Sequence, residues 1–125
     1  MPDRFLHESA DKIEVLELKF PQQMDFNEFD KIIDALTHVV AAKPSAKWVI
    51  DLSHVEYTGS AILGLLVNLR QQVKESGGSL MLCCMSQRLS DILHACSLDR
   101  LFKTSPTRAA DPSRSASTRP GLPRA

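Results

Sequence analysis

Trp48-Val-Ile-Asp-Leu-Ser-His-Val-Glu-Tyr-Thr-Gly-Ser-Ala-Ile-Leu-Gly-Leu-Leu66 passes from one hydrophobic pattern to another within a single stretch. Trp48, Val49 and Ile50 are consecutive and apolar, as in a short strand buried on both faces. Polar residues follow Asp51, and from Ser60 onward Ile62, Leu66, Leu69 and Val73 recur at the spacing of a helix face. Ser60 therefore stands where a strand hands over to a helix, among backbone N–H groups that have no partner inside the helix. A hydroxyl at that place can cap the helix, or it can carry a phosphate that the positive helix end tolerates.

Working outward, Ile13 to Phe20 reads as a strand, with Leu16, Leu18 and Phe20 on one face and Glu17 and Lys19 on the other. Phe5 and Leu6 suggest a short strand before it. Pro21 stops the ladder because it has no N–H to donate. Asp25 and Glu28 have the spacing of a capping box, and Phe26, Phe29, Ile33, Leu36 and Val40 continue as an amphipathic helix. Lys43-Pro44-Ser45 ends that helix, and a strand from Lys47 to Leu52 follows, with a loop from Ser53 to Gly59. Ala61 and Gly64 predict a helix slim enough to pack closely on a sheet, and Gly77 is the natural left-handed residue at its end. Ser79 to Met85 reads as another buried strand. Gln87 to Cys96 reads as a helix capped by Ser86, with Leu89, Ile92, Leu93 and Cys96 inward. Leu98, Leu101 and Phe102 are expected to close the core, with a last strand near Phe102 to Thr104. The resulting strand and helix alternation predicts an α/β domain with a mainly parallel sheet and right-handed crossovers. In such sheets the loops leaving the carboxyl ends of strands carry function, and Ser60 sits at the end of one.

The chain of 125 residues fits one domain, expected over residues 1–104. From Ser105 to Ala125, Pro, Ser, Thr, Ala and Arg alternate with one large apolar residue, Leu122, a composition too poor in core material to fold by itself. The formal net charge of zero divides into about −4 for the residues before Lys103 and about +4 from Lys103 onward. An acidic body argues against a nucleic-acid groove. No apolar run reaches the ~20 residues of a membrane span, and no apolar leader follows Arg4, so a cytoplasmic protein is expected. Cys83, Cys84 and Cys96 are odd in number and lack a Cys-x-x-Cys pair, so they read as reduced core fillers, with no metal expected. Neither a phosphate-cradling glycine loop nor a nucleophile elbow is present, and His54 beside Ser60 in sequence is a lone loop histidine. An enzyme or a nucleotide binder on this frame would need one of those motifs, so neither catalysis nor a cofactor is expected.

Asp51-Leu-Ser-His-Val-Glu-Tyr-Thr-Gly-Ser-Ala-Ile-Leu-Gly-Leu-Leu66 resembles the signature of the STAS family, the anti-sigma-factor antagonists. There a strand ends in Asp-Leu-Ser, and an aromatic residue shortly precedes Asp-Ser-Ser-Gly-Leu-Gly. Glu75-Ser-Gly-Gly-Ser-Leu-Met-Leu82 and Ser97-Leu-Asp-Arg-Leu-Phe102 are similar to later parts of the same family, so the resemblance runs from about Ile13 to Lys103. It implies a single STAS-like domain with helices chiefly on one side of a mixed sheet, and a binding protein with no catalytic role. It further implies partner switching: a serine-kinase anti-sigma factor phosphorylates the motif serine, matched here by Ser60, and a phosphatase reverses the mark. Tyr57, Thr58, Gly59, Ser60, Ala61, Ile62 and Leu63 are then the expected partner-binding residues. The chain departs from the family pattern at Gly59, where an aspartate is usual, and at Ala61 and Ile62, where serine and glycine are usual. Phe20-Pro-Gln-Gln-Met-Asp25 also stands where the family has Gly-x-Leu/Ile-Asp. The aspartate helps present the serine to the kinase, so Gly59 keeps open a second reading, a STAS scaffold or sensor subunit that is never phosphorylated.

Overall fold

The computed structural model describes residues 4–107 apart from Asp11. In chain order the elements are β1 (Phe5–Ala10), β2 (Ile13–Phe20), α1 (Phe26–Ala41), β3 (Lys47–Val55), α2 (Ser60–Glu75), β4 (Ser79–Cys83), α3 (Gln87–Ala95), a 3-10 turn (Asp99–Leu101) and β5 (Lys103–Ser105). The strands lie side by side in the order in which they occur, β1-β2-β3-β4-β5. β1 runs antiparallel to β2, and the other three pairings are parallel. Each parallel step moves the same way across the sheet, so right-handed crossovers place α1, α2 and α3 on one face. The fold is thus α/β with a mixed, mainly parallel sheet, as the strand and helix alternation predicts. No helix among the described residues is long and apolar enough to cross a membrane.

The core lies between that face and the helices. β2 alternates strictly, so Leu16, Leu18 and Phe20 are buried together with Glu14. Ile50 sits opposite Leu16, and Trp48 opposite Glu14. Glu14 is a carboxylate only 5% exposed. Burial pushes its pKa up, but hydrogen bonds from the Ser9 hydroxyl and His7, together with the charge of Lys43, outweigh burial and hold it below the usual carboxylate value. The His7 ring also stacks on Trp48 at 5.3 Å, so the edge strand β1 is held to the core by a side-chain cluster as well as by its ladder.

Helix boundaries follow their caps. Asp25 accepts a hydrogen bond from the Glu28 N–H at 2.8 Å, the forward half of the capping box. The Glu28 carboxylate instead pairs with Arg4. Phe29, Ile32, Leu36 and Val40 face inward, whereas Ile33 is half-buried. Phe26 departs from expectation at 82% exposed. A helical side chain leans over the turn before it, and the first residue of a helix has no such turn to cover. At the far end of α2, Gly77 takes a φ of +86°, and the N–H groups of Gly77 and Gly78 reach back to the carbonyls of Lys74 and Val73. That is a Schellman ending.

Other boundaries differ from the sequence reading. β3 continues to Val55, three residues past Leu52, because Lys19 and Phe20 of β2 go on pairing with His54 and Val55 after a register shift. The expected Ser53–Gly59 loop thereby shrinks to Glu56–Gly59. β4 stops at Cys83, short of Met85, because Cys84 adopts a left-handed φ of 59°. α3 ends at Ala95, so Cys96 falls outside the helical phase and is exposed instead of inward. Leu101 is likewise exposed on its short turn, while Phe102 is buried. The final strand includes Ser105, one residue beyond the expected domain limit. The expected disordered tail, 105–125, lies outside the described residues from Arg108 onward.

Candidate functional site

The short loop between β3 and α2 is fixed from both sides. At its start the Glu56 N–H donates to the Phe20 carbonyl at 2.8 Å, tying it to the end of β2. In its middle the Tyr57 ring rests against Phe29 of α1 at 5.0 Å, and Phe29 meets Phe20 edge-on at 5.6 Å. Three aromatic rings from β2, α1 and the loop therefore set the path of the chain toward Ser60. Offset and edge-on pairs of this kind add about 0.5–1.5 kcal/mol beyond their buried area.

Gly59 is the N-cap of α2 and brings no side-chain hydrogen bond. The reason for glycine lies in its neighbour. A Cβ built at Gly59 would stand 2.3 Å from the Tyr57 hydroxyl oxygen and 2.6 Å from the ring carbon that bears it. The aromatic ring packed on Phe29 thus fills the space where the family's aspartate would begin. An N-cap aspartate is worth only about a few tenths of a kcal/mol more than a glycine there, whereas overpacking costs about 1–3 kcal/mol. Gly59→Asp is expected to lower the melting temperature of the wild-type chain. In a Tyr57→Leu background the same change is expected to raise it. Thermal denaturation of the four proteins of that cycle tests this, and a stabilising Gly59→Asp in the presence of Tyr57 would sink it.

Ser60 is the first residue of α2 and is exposed, so the hydroxyl lies on the surface of the helix start. The reading in which Ser60 itself caps the helix is corrected: the cap position belongs to Gly59. The first turn of α2 carries no acidic residue. A negative group on Ser60 would therefore face the positive end of the helix dipole with no like charge in the same turn.

Around this residue the predicted positions divide. Tyr57, Thr58, Gly59, Ala61 and Leu63 are half-buried, and their remaining surface borders Ser60 along the chain. Ile62 is 0% exposed and belongs to the core with Leu65, Leu66, Leu69 and Val73, so its side chain is no part of an outer surface. Gly64 also departs from expectation. It is exposed, and a Cβ added there would meet nothing within 4 Å, so the helix is thinned on its solvent side and not against the sheet. The outer face of α2 runs from Ser60 through Gly64 and Asn68, with the half-buried Leu63 and Val67 beside it. His54 is not directed to Ser60: its Nε2 pairs with Glu17 of β2 at 3.2 Å.

One residue that periodicity assigned to the core joins this region. Phe26 begins α1 at the carboxyl end of β2, and Ser60 begins α2 at the carboxyl end of β3, so both stand at the same end of the parallel strands. An exposed aromatic at the same end of the sheet as an exposed helix start is the kind of anchor that protein partners bury. Its place at the first position of a helix, where no preceding turn exists, is the signal that sequence reading had available.

Comparison with known proteins agrees with this geometry. The chain matches the STAS domain family over residues 8–110. Among solved structures, a STAS domain anti-sigma-factor antagonist protein from Planctomyces limnophilus is 24% identical, with 83% of this chain and 91% of that one aligned at a TM-score of 0.72. An anti-sigma factor antagonist from Mycobacterium paratuberculosis is 28% identical over 83% of this chain and 86% of its own, at a TM-score of 0.65. The Bacillus cell fate determinant SpoIIAA in its phosphorylated form is 13% identical over 83% of this chain and 92% of its own, at a TM-score of 0.61.

Proposed function

The chain belongs to the STAS domain family, and on that premise we propose that it is an anti-sigma-factor antagonist-like regulator that works by partner switching. Its partner is a serine-kinase anti-sigma factor, which docks over Tyr57 to Leu63 and the outer face of α2. Ser60 is the switch: the free hydroxyl permits the complex, phosphorylation ends it, and a phosphatase restores it. The protein acts in the cytoplasm by binding alone, without catalysis or cofactor, and touches neither nucleic acid nor membrane directly. The observation that carries this reading is the exposed Ser60 at the positive start of α2. Phosphate adds about −1.5 to −2 charges. The helix end can hold that charge locally, whereas a partner packed over it cannot.

The test is to incubate the chain with a serine kinase of the anti-sigma type encoded beside its gene, and to follow Ser60 by phosphopeptide mass spectrometry and complex formation by calorimetry. Modification of Ser60 that tracks loss of the complex is the expected result. One observation favours a second reading: Gly59 replaces the aspartate that helps present the serine. A stable complex in which Ser60 is never modified would identify the chain as a STAS scaffold or sensor subunit.

A further inference from the structure

Adjacent residues of a β-strand point to opposite faces, so two consecutive cysteines ordinarily cannot share a ligand. Cys83 and Cys84 break that rule. Cys83 is the last residue of β4, and Cys84 takes a left-handed φ of 59°. Only a few per cent of non-glycine residues adopt this region, because an L side chain crowds the backbone there. The turn of the backbone carries the second thiol round toward the first. Asp51 is the register partner of Cys83 on the neighbouring β3. One carboxylate oxygen of Asp51 and the two Sγ atoms all lie within 4.8 Å of one another. Asp51 and Cys83 are buried and Cys84 is half-buried, so the cluster is enclosed yet reachable from one side. The Asp51 carboxylate accepts the Ser53 N–H at 2.9 Å, which holds its orientation.

We propose that Asp51, Cys83 and Cys84 form a binding site for a thiophilic divalent cation of the zinc and cadmium type. Two thiolates and a carboxylate suit such an ion, whereas magnesium and calcium require oxygen donors throughout. Zinc takes sulfur at ~2.3 Å in tetrahedral geometry, which sets donor atoms ~3.8 Å apart. The present spacing exceeds that by at most about 1 Å, within reach of a χ1 adjustment. The fourth position faces the side that Cys84 opens and takes water. On binding, the two thiol protons pass to solvent as the two metal–sulfur bonds form, so affinity rises with pH. The ion would clamp the end of β4 to β3, offsetting the backbone cost at Cys84.

The test uses the full chain, reduced with a non-thiol reagent in metal-free buffer. Titration with cadmium is expected to saturate at one ion per chain, with growth of the thiolate-to-cadmium charge-transfer band, and excess zinc is expected to compete for the same site. Cys84→Ser should lower the affinity ~10-fold or more, since changes even beyond the ligands of a metal cost that much. Asp51→Asn should weaken binding while keeping the band, because both sulfurs remain. Cys96→Ser, in the exposed cysteine outside the cluster, should change nothing. Absence of the band, its survival unchanged in Cys84→Ser, or its loss in Cys96→Ser would each overturn the proposal. Far-ultraviolet circular dichroism of every variant shows that the fold is retained.

Discussion

Ser60→Asp is expected to weaken binding of the proposed kinase-type partner at least ~100-fold, while the melting temperature stays within a few degrees of wild type. Two unequal electrostatic environments produce this result. In the free protein the new carboxylate sits in the first turn of α2, where the helix dipole favours it by about 0.3–1 kcal/mol. In the complex the same charge would be taken out of water, and an unpaired buried charge costs several kcal/mol. Each 1.4 kcal/mol is about a factor of ten in affinity, so a loss of two decades or more follows. Ser60→Ala should bind as wild type does and should no longer respond to the kinase. Titration calorimetry of both variants decides the matter. If Ser60→Asp bound the partner as tightly as wild type does, the switch would not reside at this residue.

Trp48→Ala should cost about 3–5 kcal/mol, as expected for emptying a large buried aromatic site. Trp48 is 0% exposed and stands between two structures that depend on it. On one side it belongs to the main apolar cluster, and on the other its ring carries the stacked His7 of the edge strand. Truncation would leave a cavity under β1 and would loosen the His7 side chain that helps to hold Glu14 ionised. The indole Nε1–H finds no acceptor among the described residues. Trp48→Phe removes that unsatisfied donor along with some volume, so the two effects oppose each other and the net cost should stay below ~1.5 kcal/mol. Urea denaturation of the two variants separates these values. A small loss in Trp48→Ala would mean that the surrounding core collapses to fill the site.

The architecture was legible because alternation and helical period point the same way in most segments. In β2, Leu16, Leu18 and Phe20 show the period of two, and in α2 Ile62, Leu66, Leu69 and Val73 show the period of a helix face. The capping residues Asp25 and Ser86 and the terminator Gly77 each occupy the place that their chemistry predicts. What could not be read were features set by tertiary neighbours. β3 lasts through the polar Ser53 and His54 because β2 keeps supplying backbone partners, a fact absent from the pattern of β3 itself. Two further residues were legible but misread: Phe26 has the right spacing for the core, yet its place at the start of a helix, with no preceding turn, was there to be seen. Gly64 marks a helix thinned toward solvent, and periodicity counted from Ile62 would have placed it outside. Around Ser60, the motif located the residue, but the packing of Tyr57 on Phe29 explains why position 59 is bare. The pairing of Cys83 with Cys84 depends on one backbone dihedral that adjacent cysteines do not announce.

The succession of strands across the sheet, identical to their succession along the chain, has a consequence for biogenesis. Every strand after the first emerges from the ribosome with a neighbour already synthesised, so none waits for a later segment before it can dock. Each parallel pairing still joins residues 22–35 positions apart, as between Lys19 and His54 or Met81 and Lys103, so closing these crossovers is the slow part of assembly. Assembly can nonetheless advance vectorially from the amino terminus, with the exposed border of the growing sheet covered as each new hairpin or crossover arrives.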